Sequence, residues 1–511
     1  MYKEIEISIA LVDFGDKESV KAEIAKAGYK DIADYRILRR SIDARKTPCW
    51  RLKVAISDRM MPQSALHIPH YKDVSKSEPV LIIGAGPAGL FAALRLIECG
   101  FKPVIIEKGN NVTQRKIDIA NIIKSGTINT NSNWCYGEGG AGTFSDGKLY
   151  TRSNKRGNIT KVLETFVAHG ADEAILYDSN PHIGTDNLSR IIKNIRTTIE
   201  NYGGEYHFNT TMTDIIVRNN HVVGIKTQSG DIFDCNNLIL ACGHSARDVY
   251  SMFCAKGWLI ETKPFAMGVR IEHPQHHINS IQYHSSNYNS LLPPASYRLA
   301  YTNDEGGVFS FCMCPGGIVI PASTEYNISV VNGMSNSSRL SPFANAGIVV
   351  SVNEKDVIKS GFKAKQDTSL LLMEFQQASE ASVYAGNVQA FGQRLTDFIN
   401  NKPSSILNKS SYLGGLVSSN LNDLLPHFIS TRLRDGFMRF DKKMRGFITE
   451  QATLISIESR TSSPVRIPRD PLTLQHLQIK GLYPCGEGAG YAGGITSSAI
   501  DGINVADNIA R

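Results

Sequence analysis

The stretch Val80–Leu90, VLIIGAGPAGL, constrains this chain more than any other segment. Its first four residues form the continuous apolar run that is typical of a buried strand in a parallel sheet. The glycines then follow the spacing G-x-G-x-x-G, which gives a tight turn, a close approach of the backbone to a pyrophosphate, and close helix–strand packing. The sequence therefore predicts a dinucleotide-binding turn, formed by Gly84, Gly86, Pro87, Ala88 and Gly89.

A second strand supports this prediction. Val104–Ile106 is apolar and leads into Glu107 and Lys108, about 20 residues after the first glycine. A carboxylate at that place accepts hydrogen bonds from ribose hydroxyls, while the N-terminus of the intervening helix holds the phosphates. We therefore expect Glu107 and Lys108 at the dinucleotide.

The composition narrows the class of protein. At 511 residues the chain exceeds one ordinary core, so two or three domains are expected. The net charge of +7 tolerates an anionic ligand without requiring nucleic acid. Nine cysteines without a framework, and charged residues where a signal peptide would be apolar, predict a cytoplasmic protein. The apolar run Val80–Ile97 is interrupted by glycines, a proline and Arg95, which argues against a membrane span.

Residues 1–75 are expected to form a small α/β domain. Apolar patterning predicts a helix over Lys17–Ala27 and strands at Glu4–Val12, Tyr35–Ser41 and Trp50–Ile56. The basic cluster Arg39–Lys46 lies between two of these strands. It is either a solvated turn or a contact for a ligand or RNA, and the sequence leaves both readings open.

The nucleotide fold is predicted to be assembled from separated segments. An amphipathic helix over Asn187–Tyr202 follows Asp186, which we expect to cap it. Three short strands and then the strand Asn237–Cys242 lead into Gly243 and His244. This arrangement resembles the second FAD-contacting element of the glutathione-reductase-like flavoproteins. Cys242 and Gly243 are therefore expected at the cofactor.

The C-terminal segment is predicted to return to the same cofactor. In that group of flavoproteins a strand ends in Gly-Asp, whose carboxylate meets the ribityl or pyrophosphate region. Gly486 and Glu487 stand in that place here. Gly494, Ile495 and Thr496 begin a helix that runs to the end of the chain, and its positive end would favour negative charge on a flavin.

The segment Trp134–Leu149, WCYGEGGAGTFSDGKL, combines glycines with many functional groups. No buried strand precedes it, so it is not a second dinucleotide turn. The glycines permit backbone close to a planar ligand, and the polar side chains supply donors and charge. We expect a loop beside the flavin, with contacts from Gly140, Gly142, Thr143, Ser145, Asp146 and Lys148.

Cys312 and Cys314 are separated by one residue, and three readings compete. A redox-active pair next to a flavin is one, although a disulfide of this spacing is strained. A metal site is a poorer reading, because no second Cys/His pair has zinc-like spacing. The third, which the sequence favours, is a pair of packed thiols in a tight turn.

Three arginines lie outside the nucleotide motif, in segments that carry turn or hydroxyl residues. Guanidinium groups bind carboxylates or phosphates with two parallel hydrogen bonds, so Arg270, Arg460 and Arg466 are candidates to hold an anionic substrate. Ion pairs between domains are the competing reading. His244 is a candidate proton donor, against the alternative of a hydrogen-bonded structural residue.

The motifs together resemble a known family. GAGPAG, GEGGAGTFSDGKL, PHIGTD, ACGHSARD, KPFAMGVRIEHPQ, SFCMCPGG, RTSSPVRI and CGEGAGYAGGITS occur in one order along most of the chain. In this it is similar to the bacterial FAD-dependent dehydrogenases often labelled NAD(FAD)-utilising dehydrogenases. The resemblance implies a flavoprotein fold and bound FAD. The bulky lead-in Trp134–Tyr136 departs from the expected pattern near the flavin.

These observations predict an α/β protein with a discontinuous FAD-binding Rossmann-like domain of glutathione-reductase type. The expected divisions are a small α/β domain at 1–75, FAD-binding segments at 76–254 and 451–511, and a mixed α+β substrate domain at 255–450. The predicted activity is hydride transfer between non-covalent FAD and an anionic small molecule. The sequence shows one complete nucleotide-binding unit and no second unit for NAD(P)H. NAD(P)H therefore stays a candidate only as a transient reductant. A flavin-dependent tRNA-modifying enzyme and a non-catalytic redox-sensing flavoprotein stay as alternatives.

Overall fold

The computed structural model describes residues 2–62, 69–151, 157–284 and 291–511. At the N-terminus, three antiparallel strands in the order β1-β3-β2 pack one face against a helix. Asp16 caps this helix by accepting hydrogen bonds from the backbone N–H groups of Glu18 and Ser19. The elements occur in the predicted order: β1 (Tyr2–Ala10), α1 (Lys17–Lys26), β2 (Asp34–Asp43) and β3 (Cys49–Ser57).

The basic cluster of this unit makes contacts within the chain. The guanidinium group of Arg40 donates two hydrogen bonds to Asp178, at 2.6 and 2.9 Å. Arg39 donates to the Ser179 hydroxyl, and Arg45 pairs with Asp43. The first part of the cluster lies within β2, so the expected turn is wrong there, and the ligand or RNA contact stays a prediction.

The next segment builds a nucleotide fold around a parallel sheet. Its elements are β4 (Pro79–Ile83), α2 (Pro87–Cys99), β5 (Lys102–Ile106), α3 (Val112–Ser125), α4 (Ile159–Ala168), α5 (Thr185–Asn201), β6 (Glu205–His207), β7 (Met212–Arg218), β8 (His221–Thr227), β9 (Ile232–Asp234), β10 (Leu238–Leu240) and α6 (Arg247–Ala255). The strands β7, β8 and β9 form a separate antiparallel meander, as predicted.

The expected cap of α5 is wrong. Gly184, not Asp186, occupies the N-cap position, and it does so with φ +86°. The Asp186 carboxylate instead accepts hydrogen bonds from the backbone N–H and the hydroxyl of Ser337. From the sequence, an acidic residue before an amphipathic helix predicts a cap, and nothing there shows that Asp186 instead binds Ser337.

The third segment forms a mixed domain around a seven-stranded sheet, called here the cap sheet. Its elements are β11 (Glu261–Thr262), β12 (Phe265–Pro274), α7 (Gln275–Tyr283), β13 (Ala300–Asn303), β14 (Gly306–Cys314), β15 (Ile318–Pro321), β16 (Val331–Met334), β17 (Phe343–Val352), α8 (Glu354–Lys359), α9 (Leu371–Ser382), β18 (Ala390–Arg394), α10 (Leu395–Ile399), β19 (Leu416–Ser418), α11 (Leu421–Leu424), α12 (His427–Lys443), β20 (Thr453–Glu458) and β21 (Val465–Arg466). The cap sheet has the order β13-β14-β17-β12-β20-β18-β19, and α12 packs on it.

The chain then returns to the nucleotide fold with β22 (Leu482–Pro484) and α13 (Ile495–Ile509). The parallel sheet has the order β22-β10-β4-β5-β6. The predicted boundary at 450/451 lies too early, because the buried strand β20 still pairs with β12 and β18 of the cap sheet. Nothing in the sequence of β20 itself indicates that this strand belongs to the cap sheet and not to the nucleotide fold. Across the described ranges, every helix is too short or too polar to cross a membrane.

Candidate active site

A cleft opens where the carboxyl ends of β4, β5 and β10 meet the cap sheet. It encloses about 1620 Å³ of empty space, part of it open to solvent. Most residues predicted for cofactor or catalysis line it: Gly84, Gly86, Pro87, Ala88, Glu107, Lys108, Gly140, Gly142, Ser145, Asp146, Lys148, Cys242, Gly243, His244, Arg460, Glu487, Gly494 and Ile495.

Four residues predicted at the cofactor lie behind the cleft wall. A Cβ on Gly89 would lie 2.0 Å from the carbonyl oxygen of Gly84, so this glycine serves close helix–strand packing. The hydroxyl of Thr143 donates to the carbonyl of Glu138, and that of Thr496 to the carbonyl of Leu149. The N–H of Gly486 donates to Asp501. These contacts position the wall of the cleft.

Two helices begin at the cleft with free backbone donors. Gly86 is the N-cap of α2 and Gly494 that of α13, and neither has a side-chain cap. The first N–H groups of a helix carry partial positive charge and have no partner within the helix, which suits an anion. Gly84 at φ +102° brings its backbone so close to Ala241 that a Cβ would lie 2.5 Å from the carbonyl oxygen. This end of the cleft therefore fits a pyrophosphate.

Glu107 is buried and already holds three backbone N–H groups. Its carboxylate accepts hydrogen bonds from the N–H groups of Ala85, Gly109 and Gly137, each at 2.9 Å. A carboxylate offers about four acceptor positions, so one is left for a ribose hydroxyl. Glu107 thus ties the glycine turn to the glycine-rich loop, a role that its place after β5 did not reveal.

The glycine-rich loop is organised by Arg115, which the sequence analysis missed. This fully buried guanidinium donates to the carbonyls of Asn133, Glu138 and Gly140, at 2.8, 2.8 and 2.9 Å. Burial lowers the pKa of Arg115 to about 10, which keeps it charged at neutral pH. Because these carbonyls turn inward to Arg115, the opposite face of the loop is available to a ligand.

Asp146 lies at the centre of a cationic group. It is buried, 3.3 Å from the Lys148 ammonium, 2.9 Å from Arg339 and 3.5 Å from His182, and it accepts a hydrogen bond from Ser335. Burial alone would raise the pKa of Asp146, but Lys148, His182 and Arg339 outweigh it and hold the pKa well below its usual range. Lys148 also donates to the carbonyl of Met313, which links the loop to the cap sheet.

Arg270 does not line the cleft, which corrects the expectation that it contacts a substrate. It is fully buried and pairs with Glu458 at 3.0 Å. Its remaining donors reach Asn345 and the carbonyl of Cys312, at 2.8 and 2.6 Å. The sequence of β12 alone could not show that the Arg270 side chain lies on a buried face of the cap sheet.

Cys312 and Cys314 differ in their surroundings. A bulge between Phe311 and Cys314 breaks the pairing of β14 with β17, and Cys312 adopts φ +41° there. Cys314 is buried, and its thiol donates to the carbonyl of Cys312 at 3.3 Å. Cys312 is exposed to the cleft, yet the surrounding walls raise its thiol pKa to about 12. The packed-thiol reading therefore describes Cys314, whereas Cys312 lies open to the cleft.

Arg460 lines the cleft but is held by protein groups. Its guanidinium pairs with the buried Glu380 at 3.0 Å and donates to the hydroxyls of Ser245 and Thr324. Arg247 pairs with the same carboxylate at 3.3 Å. Burial lowers the pKa of Arg460, but the negative charge of Glu380 outweighs burial and raises this pKa above its usual range. Its Nη2 donates to Glu380 at 3.0 Å and lies 3.9 Å from the carboxylate of Glu325.

Arg466 and Glu487 lie near the last turn. Arg466 is exposed outside the cleft, with its guanidinium 5.6 Å from the ring centre of Tyr491, so it does not converge with Arg460. Burial raises the pKa of Glu487 to about 7, against the opposing charge of Lys263. Glu487 therefore can hold a proton at neutral pH, unlike an ordinary surface carboxylate.

Several lining residues were not among the predicted cofactor-binding or catalytic residues. The Tyr136 hydroxyl donates to the carbonyl of Ser245, and the Lys108 ammonium lies 4.7 Å from the centre of the Tyr136 ring. The bulky residues that precede the loop therefore form part of the cleft wall. Long-range folding alone brings the others here. They are Cys135, Thr210, Thr211, Ser245, Asp248, Phe311, Cys312, Cys314, Asn332, Gly333 and Thr461.

Comparison with known proteins identifies the class. Residues 78–252 match the family model of pyridine nucleotide-disulphide oxidoreductases, and residues 264–461 match that of the FAD-dependent protein C-terminal domain. Residues 1–57 match a domain of unknown function. An uncharacterized protein of Clostridium beijerinckii is 40% identical over 507 residues, covering 94% of this chain and 93% of that protein. The chain belongs to the same family. It is an FAD-dependent oxidoreductase.

Solved structures of flavoproteins are similar only in outline. Glycine oxidase from Bacillus cereus is 14% identical over 84% of this chain and 94% of its own, with a TM-score of 0.30. L-proline dehydrogenase from P. horikoshii is 11% identical over 85% and 93%, with a TM-score of 0.35.

The cleft fits FAD. The uncapped start of α2, the tight approach at Gly84 and the remaining acceptor position on Glu107 suit its ADP half. The uncapped start of α13 and the glycine-rich loop lie along the same cleft and suit its flavin half. The wall formed by the cap sheet then borders the remaining space.

Proposed function

We propose that this oxidoreductase is a dehydrogenase that moves a hydride between non-covalently bound FAD and an anionic small molecule. The supporting observation is that one cleft joins the nucleotide fold to a separate wall, formed by Phe311 and Cys312 of the cap sheet and by Asn332 and Gly333 of the two-stranded sheet β15-β16. FAD, when bound, supplies the centre that takes or gives the hydride. The protein then has to bind the second molecule, orient it and limit water.

The charge around Lys148 favours an anionic second molecule. Lys148 and Arg339 share the single carboxylate of Asp146, so the group carries an excess positive charge. The Lys148 side chain is 38% exposed and borders the cleft beside the cap sheet. An ammonium ion in a partly enclosed cleft attracts a carboxylate or phosphate more strongly than it would in open water. Orientation by such a contact can contribute several kcal/mol toward lowering a barrier.

The nicotinamide question has a structural side. In the described residues one parallel sheet carries a glycine turn followed by a helix, and the remaining sheets are antiparallel or mixed. This supports a reductant that reaches the flavin directly, whether NAD(P)H as a transient visitor or the anionic substrate itself. Stopped-flow mixing of the holoenzyme with NADH or NADPH in the absence of oxygen distinguishes these two reductants. If NAD(P)H is the reductant, it bleaches the flavin; if the anionic substrate is the reductant, NAD(P)H does not.

The proposal is tested by a screen of paired compounds under anaerobic conditions. Carboxylic acids and their amides are mixed with the holoenzyme, and loss of the oxidised-flavin absorbance is recorded. We expect at least one acid to bleach the flavin while its amide does not. Bleaching by amides and acids alike would contradict the anionic substrate, and bleaching by none of the acids or phosphates would contradict the dehydrogenase proposal.

Lys148 offers a matched pair of variants. Lys148→Met is expected to raise the half-saturating concentration of the acid at least tenfold, and Lys148→Arg to retain part of the affinity because it keeps the charge. FAD content is measured in the same samples. Loss of FAD instead of acid affinity would assign Lys148 to cofactor binding alone.

A further inference from the structure

A chain of hydrogen bonds leads from a buried cation to the edge of the cleft. Arg460 donates from Nη1 to the Ser245 hydroxyl oxygen at 3.2 Å. The same oxygen lies 2.9 Å from Nδ1 of His244. His244 is partly exposed and lines the cleft. Among the described residues, Nε2 of His244 receives and makes no hydrogen bond.

The cationic donor determines the direction of the second hydrogen bond. A hydroxyl has one proton and two lone pairs, and Arg460 occupies one lone pair with a charged donor. This contact polarises the O–H group, which becomes a stronger donor and a weaker acceptor. Ser245 therefore donates its proton to Nδ1 of His244. The other neighbouring acceptor is the weakly accepting sulfur of Cys135, whose thiol is directed to the carbonyl of Ala322 at 3.7 Å.

We propose that Ser245 is a positioning residue, which couples Arg460 to His244 and fixes that ring as an uncharged Nε2–H donor to an oxygen acceptor of the substrate. An imidazole whose Nδ1 accepts a hydrogen bond carries its proton on Nε2. The ring thus presents a neutral donor to the cleft, which replaces the sequence-based expectation of a proton donor. The recognition of substrate rests on the proposed function, whereas the tautomer does not.

The charges around His244 support the neutral ring. Burial, then Arg460 and Arg247, lower the pKa of His244 to about 3, and Glu380 opposes them. The Tyr136 hydroxyl, which packs on the same segment, donates to the backbone carbonyl of Ser245 and leaves the ring alone. The ring is therefore uncharged at neutral pH.

The experiment is nitrogen NMR on the FAD-bound enzyme with ring-labelled histidine, between pH 5.5 and 8.5. The His244 signals are assigned with His244→Gln. Two histidines serve as internal references. His169 lies with Nδ1 2.7 Å from the Thr165 carbonyl and is the Nδ1–H tautomer. His476 lies with Nε2 3.1 Å from the Leu259 carbonyl and accepts from Gln478 at Nδ1, so it is the Nε2–H tautomer.

The expected result is that His244 matches His476 and does not shift across the pH range. Ser245→Ala should convert His244 to a mixture of tautomers, and Ser245→Thr, which keeps the hydroxyl, should restore the single form. A wild-type spectrum that matches His169, or an imidazolium signal at pH 6, would overturn the proposal, as would no change in Ser245→Ala. None of these readouts requires a substrate, so the failure of the proposed dehydrogenase activity would be seen separately.

Discussion

Gly502 in α13 lies directly against the carbonyl oxygen of Ala88 in α2. A Cβ on Gly502 would be 2.1 Å from that oxygen, closer than any real side chain approaches a backbone atom. Ala88 lines the cleft, and so do Gly494 and Ile495, where α13 begins. The last helix of the chain therefore sets the width of a cleft whose glycine turn lies some 400 residues earlier in the sequence.

Gly502→Ala is expected to force the two helices apart. Overpacking of this kind costs about 1–3 kcal/mol of the free energy of unfolding, and FAD affinity should fall with it because both uncapped helix starts move. Chemical denaturation of the apoprotein and FAD titration measure the two effects. Gly493→Ala is the stability control, because a Cβ there meets nothing within 4 Å. Equal stability of the two variants would contradict the packing argument.

Glu107→Ala is expected to weaken both the loop and the cofactor site. The change leaves three buried or partly buried backbone N–H groups without an acceptor, and each costs about 1–3 kcal/mol. FAD affinity should fall at least tenfold. Glu107→Gln keeps one acceptor oxygen and should show a smaller loss of both quantities. A variant with reduced FAD affinity and unchanged apoprotein stability would instead mean that Glu107 serves the ribose alone.

Non-covalent binding of FAD also follows as a prediction. Heat or acid should release all of the yellow chromophore as FAD from the denatured enzyme. Chromophore that remains on the polypeptide would point to a covalent link at one of the cleft side chains Cys135, Cys242, His244 and Cys312.

Much of the nucleotide fold could be predicted from local signals. The signals that predict it lie close together in sequence: a strand, a glycine turn and an acidic residue occur within the one segment Val80–Glu107. The cleft residues from β16 could not be found in this way, since Asn332 and Gly333 have neither a motif nor a periodic context. Arg270 and Arg460 show the same limit. A guanidinium looks identical in sequence whether its carboxylate is a substrate or, as here, Glu458 and Glu380.

The acid stability of the enzyme should depend on Asp146. Its pKa in the folded state lies below the unfolded value of about 3.9, so its contribution is complete above about pH 5 and is lost as the pH falls. Asp146→Asn leaves Lys148 and Arg339 unpaired and should cost about 3–5 kcal/mol at pH 7. The free energy of unfolding of the variant should also fall less steeply between pH 5 and 3.

Asp186→Asn is the comparison for this experiment. Burial, which raises the pKa of Asp186, is outweighed by hydrogen bonds from Ser337, and the exposed carboxylate forms no ion pair with any of the residues that the structure describes. Its variant should change the slope less than Asp146→Asn does. The reverse order would show that the cationic group around Asp146 does not stabilise the fold.

The thiols Cys312 and Cys314 are predicted to be dispensable for flavin reduction. Cys314→Ser should lower stability by about 1–2 kcal/mol because the residue is fully buried, and Cys312→Ser should change it by less than about 0.5 kcal/mol. Both variants should bleach with the acid found in the paired screen at rates close to wild type. A double variant with full FAD content but no bleaching would establish a thiol relay.

Arg40 is predicted to fix the N-terminal unit to the nucleotide fold. Its guanidinium lies 4.6, 4.9 and 5.3 Å from the ring centres of Phe14, Trp50 and Tyr177, and it forks onto Asp178. A lysine cannot stack and fork in this way, so Arg40→Lys should loosen the contact although it keeps the charge. The measurement is hydrogen exchange at the Ser179 amide, which donates to the Arg40 carbonyl at 2.9 Å.

Arg45→Lys is the matched control, because its side chain is 78% exposed and, within the described part of the chain, pairs with the neighbouring Asp43 alone. Exchange at Ser179 should accelerate several-fold in Arg40→Lys and stay unchanged in Arg45→Lys. An RNA-binding cluster makes a different prediction, since each phosphate contact that is lost reduces the salt dependence of binding. If Arg40→Ala and Arg45→Ala, which remove the charge, weakened salt-sensitive tRNA binding equally while Ser179 exchange stayed constant in Arg40→Lys, the basic cluster would serve RNA and the structural assignment of Arg40 would be wrong.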